Sequence, residues 1–76
     1  MNRVSYNMGR IAFAAGEVYE PSDDQFFMSY LASLEMKPAQ KEKLYQYEGS
    51  EWKTGWMTAK KEAADFFAKS KAPEDE

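Results

Sequence analysis

The chain has 76 residues, 43% of them hydrophobic and 16% aromatic, with a formal net charge of −3 and neither Cys nor His. That length holds one domain, which buries only about 60% of its unfolded surface and must therefore pack efficiently. The missing thiols and imidazoles exclude disulfides, zinc-type ligand sets, a thiol nucleophile and the usual neutral-pH base.

Val4, Met8, Ile11 and Ala15 fall at the spacing of a helical stripe, and Gly16 stands where a left-handed cap would stop that helix. Residues 17–21 then read as an extended connector, because the position before Pro21 is pushed away from the α region. Ser22-Asp23-Asp24-Gln25 matches a capping box, which places the start of a second helix at Ser22. Phe26, Phe27, Tyr30, Leu31 and Leu34 give that helix a broad apolar face, wide enough for packing from two sides or for a homodimer.

Pro38 suits the first position of a third, short helix, carrying Gln40, Leu44 and Tyr47 on one face and ending at Gly49. Ser50 is the expected cap of a last helix over residues 51–69. On a wheel, Trp52, Trp56, Ala59, Ala63, Phe66 and Phe67 share one sector, with Thr54, Thr58, Lys61 and Asp65 turned the other way. The expected fold is all-α: one domain of three or four helices over residues 1–70, the first and last packed antiparallel, and a disordered acidic tail at 71–76. No strand pattern competes. No apolar run approaches the roughly 20 residues of a membrane span, and the N-terminus lacks a basic-then-apolar export signal, so the expected location is cytoplasmic.

Gly9-x-x-Ala12-x-x-x-Gly16 near one end and Trp52-x-x-Gly55-Trp56-x-x-Ala59 near the other read together as small residues facing large rings. Gly9 inside a helix costs roughly 1 kcal/mol against Ala, so something must lie close against it. These seven residues are the expected structural core. Their pairing, with Tyr19-x-Pro21 between, resembles the ribosome modulation factor family of small bacterial and phage helical hairpins. The match covers the first and last helices, with residues 22–47 intervening. The resemblance implies a ribosome- or RNA-binding factor.

No phosphate-binding glycine loop, calcium loop or nucleophile elbow is present, and so short a chain encloses no large pocket easily. The expectation is a protein without enzymatic activity, cofactor, metal, small-molecule substrate or membrane partner. Charge is unevenly placed. Residues 1–36 carry Arg3 and Arg10 against five acids, a net −3, and 62–76 carry two Lys against five acids, also −3. Between them, residues 37–61 hold six Lys against three Glu, a net +3. Lys41, Lys43, Tyr45, Lys53, Met57 and Lys60 are the candidate contacts, since exposed Tyr and Met amid Lys suit a protein or RNA surface. The acidic total and aromatic content favour a phage-type or bacterial inhibitor or adaptor on a host protein or complex. The alternative is a ribonucleoprotein partner reached through residues 37–61.

Overall fold

The computed structural model describes the backbone of residues 3–71 and side chains as far as residue 68. Three helices, α1 (Val4–Ala14), α2 (Gln25–Ala32) and α3 (Pro38–Lys71), are joined by a connector that contains a 3₁₀ turn at Pro21–Asp23. No strand occurs among the described residues. The acidic tail expected at 71–76 lies, from residue 72 onward, outside them.

Gly16 stops α1 as its position predicts. Its φ is +83°, and the amides of Gly16 and Glu17 donate back to the carbonyls of Phe13 and Ala12 at 3.0 and 2.9 Å, a Schellman closure. Gly16 is nonetheless exposed and has nothing against it, so it is a cap and not part of the core. α2 begins two residues later than the capping box implies. Asp24 is the cap, and its carboxylate accepts from the amides of Phe26 and Phe27 at 3.0 and 3.2 Å. Ser22 instead donates its hydroxyl to Glu20 within the turn. Lying next to the first helical residue, Asp24 reaches both free amides, whereas Ser22 is held in the turn behind it.

The two helices expected on either side of Gly49 are one, 34 residues long. Gly49 is buried near Pro21 and has no positive φ, and Ser50 caps nothing: its carbonyl accepts from Thr54 Oγ1 at 3.0 Å. Packing around this middle stretch of α3 overrides the local stop signal.

α1 lies on the middle of α3 through a reciprocal pair of glycines. A Cβ on Gly9 would sit 1.9 Å from the carbonyl oxygen of Trp52, and one on Gly55 would sit 1.9 Å from that of Tyr6. The close neighbour of Gly9 is therefore backbone, not an indole ring. The sense of the pair is the reverse of the antiparallel expectation. Arg3 and Ser5 meet Glu51 and Glu48, whereas Arg10 meets Glu62 and Ala14 lies with Ala63, so both helices rise together. The intervening chain makes the return. Glu17 lies beside Trp56, Phe27 near Tyr45, and Ala32 near Lys41, a descending order along α3.

Ala12, Phe27, Leu31 and Trp52 form the buried centre, with Met8, Met28, Leu44, Tyr45 and Trp56 packed around it. Trp52 is fully buried, whereas Trp56 and Ala59 are half-buried. The expected apolar sector continues past the end of α1, which leaves Phe66 and Phe67 exposed. Phe26 is likewise outside the core, the exception on its helix face.

Candidate partner-binding surface

The backbone of α3 sets two rows of side chains at helical spacing: Ser50, Thr54 and Thr58 in one, Lys53, Met57 and Lys61 in the other. With Tyr19 from the connector they line an open groove of about 470 Å³. Tyr19 is placed there by Trp56. Trp56 donates its indole N–H to the Glu17 carbonyl at 3.1 Å, and its ring lies 5.0 Å from that of Tyr19, tilted by 49°. Phe13 meets the same indole edge-on at 5.2 Å.

Two ammonium groups stand over this aromatic ledge. Lys53 Nζ is 5.8 Å from the Tyr19 ring centre and Lys60 Nζ is 5.6 Å from that of Trp56, both within cation–π range. Among the described residues neither forms an ion pair, nor do Lys43 and Lys61; the pairs there are Arg3–Glu51 at 3.8 Å and Arg10–Glu62 at 2.8 Å. Hydrogen bonding to Glu62, and then to Tyr6, holds the Arg10 guanidinium above its ordinary pKa. Lys43, Lys53, Lys60 and Lys61 of α3 thus stand without an ion-pair partner among the described residues, whereas Arg3 and Arg10 are paired within the fold.

The six candidate contacts do not form one site. Lys53 and Met57 line the groove and Lys60 stands beside it. Tyr45 packs against the core, with its ring 6.3 Å from that of Phe27. Lys41 reaches across to the Ala32 carbonyl at the end of α2, at 3.4 Å. Lys43 is exposed well below the groove in sequence. Tyr19, Ser50, Thr54, Thr58 and Lys61 are the additions. Their four-residue spacing on α3 was visible in the sequence, but the arrival of Tyr19 depends on the return of the connector.

The groove offers hydroxyls, ammonium groups, a thioether and a ring. It suits carboxylates or other anions flanked by apolar groups. Among the described residues no group of three or more Asp or Glu is arranged to hold a metal ion. No helix among them is long and apolar enough to cross a membrane. Comparison of the chain with known protein families, curated proteins and solved structures finds no match.

Proposed function

We propose that this protein is a small non-enzymatic helical regulator, an inhibitor or adaptor of phage or bacterial type, that docks on an acidic surface of another protein through the lysine groove of α3. The observation that carries the reading is that Lys53, Lys60 and Lys61, none with an ion-pair partner among the described residues, gather around Tyr19, Trp56 and Met57. Charge complementary to a partner's carboxylates speeds encounter, and the half-exposed Tyr and Met supply the apolar contact that holds it. Lys53→Glu with Lys60→Glu should abolish capture of the partner from host lysate while leaving helical content and melting temperature nearly unchanged. Exposed Lys contributes little to stability. Full capture by the double variant would place the working surface elsewhere.

A second reading, a ribosome- or RNA-binding factor of ribosome modulation type, is favoured by the same Tyr19 ring, since a base can stack on an aromatic face beside lysines. The two helices that carry the resemblance run in the same sense and so do not make a hairpin. Nuclease treatment separates the readings, because an RNA-mediated contact is lost with the RNA. Salt does so too: each phosphate contact removed flattens the slope of log affinity against log salt by about one.

A further inference from the structure

Away from the lysine groove, and sharing no lining residue with it, lies a second and apolar surface. It consists of two hollows that meet at Ile11. One, of about 370 Å³, is lined by Met8, Ile11, Ala12, Ala15 and Phe26, with Glu17 and Asp24. The other is formed where α3 outruns α1, between Ile11, Phe13 and Ala14 on one side and Ala63, Phe66 and Phe67 on the other. Ile11, Phe26, Phe66 and Phe67 are 66%, 77%, 66% and 63% exposed. Four such side chains on one connected surface exceed the scattered exposure that an ordinary surface carries.

We propose that this surface is the interface between two copies of the chain, related by a two-fold axis, with Phe66 and Phe67 of each seated in the hollow beside Ile11 of the other. Knob and hollow adjoin at Ile11 on one patch, so two copies can exchange them across a two-fold axis, as a closed, self-complementary contact requires. The exposed area is substantial. An aromatic side chain offers about 150–250 Å² when fully exposed, so the three Phe rings leave on the order of 300–500 Å² to be covered, and Ile11 adds to it. Counted over both copies, this approaches the lower bound of roughly 1,200 Å² for a specific interface, the size of a contact that forms at micromolar concentration and above.

Glu17 is the one lining charge without a side-chain partner among the described residues; the other charges raise no barrier to a second copy. Arg10 and Glu62, in the lining, already neutralise each other at 2.8 Å. Asp24 is committed to Trp52 and to the cap of α2. No lysine lines either hollow, and the hollows share no residue with the lysine groove, so the dimer leaves both lysine grooves open. The inference is therefore independent of the proposed function.

Sedimentation equilibrium from micromolar to high micromolar protein tests it. The wild type should pass from 8.8 kDa toward twice that mass, and high salt should not reverse the change. Phe66→Ala with Phe67→Ala, and separately Ile11→Arg, should weaken association on the order of a hundredfold, as loss of central anchors does. Helical circular dichroism should be retained, since all three side chains are mostly exposed. Lys53→Glu with Lys60→Glu should associate like wild type. A wild type that stays at monomer mass at the highest concentration would overturn the proposal, whether or not lipid vesicles or another protein then bind the face. So would a wild-type dimer that survives both apolar variants, because the contact would then lie elsewhere.

Discussion

Asp24 accepts three hydrogen bonds in a nearly dry position. One carboxylate oxygen caps α2 and the other takes the Trp52 indole N–H at 2.8 Å, so one side chain ties the second helix to the buried ring at the centre. Replacing it by Ala removes a cap worth about 0.5–2 kcal/mol and strands a buried donor at about 1–3 kcal/mol. Asp24→Ala should therefore cost about 2–4 kcal/mol in urea unfolding. An unchanged midpoint would show that Trp52 needs no acceptor. The sequence hid this role because Ser22 and Gln25 satisfy a capping pattern that the fold does not use. Gly9 was more legible. Its cost inside a helix announced a close neighbour, but nothing in a residue pattern distinguishes a ring from a carbonyl. With a Cβ at 1.9 Å from the Trp52 oxygen, Gly9→Ala must push the helices apart, since backbone cannot turn aside as a flexible side chain can. Its melting curve should report a loss of about 3 kcal/mol, at the upper end of ordinary overpacking.

At the scale of the element, α3 decides what the rest can be. The apolar sector holding Trp52, Trp56, Ala59 and Ala63 was readable, and so was the helix end at Gly16. The continuity of α3 through Gly49 and Ser50 was not, because Gly followed by Ser is also how one helix stops and the next begins. The choice was made by tertiary contact. Pro21 of the connector lies beside Gly49, and Glu48 and Glu51 on either side meet Ser5 and Arg3, so a break there would open the centre of the molecule. Two glycine variants separate the cases. A Cβ on Gly49 would lie 3.9 Å from Pro21 Cγ, an ordinary contact, in helical backbone without positive φ. Gly49→Ala should thus raise stability by about 0.5–1 kcal/mol. At Gly16, with open space around it but φ at +83°, the same change should lower stability by about 1 kcal/mol. Destabilisation by Gly49→Ala would indicate a turn where the helix is continuous.

The whole molecule measures 60 × 22 × 15 Å with a radius of gyration of 15.6 Å, against about 11 Å for a compact domain of this length. The elongation has one cause: α1, at 11 residues, covers only the middle of a 34-residue helix. The basic stretch between acidic flanks was visible in the sequence, but its usable part was not. The fold takes Lys41 and Tyr45 inward and brings Tyr19 to Lys53. The sense of α1 against α3 was hidden as well, because the glycine and tryptophan motifs fit together in either direction. This shape predicts a gradient of local stability along one continuous helix. Around Trp52 and Gly55, α3 is locked by α1 and the buried ring, so its amides should exchange with solvent only through global unfolding. Beyond Ala63, α1 has ended and Phe66 and Phe67 are exposed, so opening there disturbs no buried contact. At dilutions where the chain is monomeric, hydrogen exchange at residues 64–68 should be faster than at 52–56 by on the order of a hundredfold, if local opening costs less than global unfolding by roughly 3 kcal/mol. Uniform protection along α3 in the dilute monomer would show that the projecting end is held by a contact within the chain, and the apolar face would then no longer be free to receive a second copy.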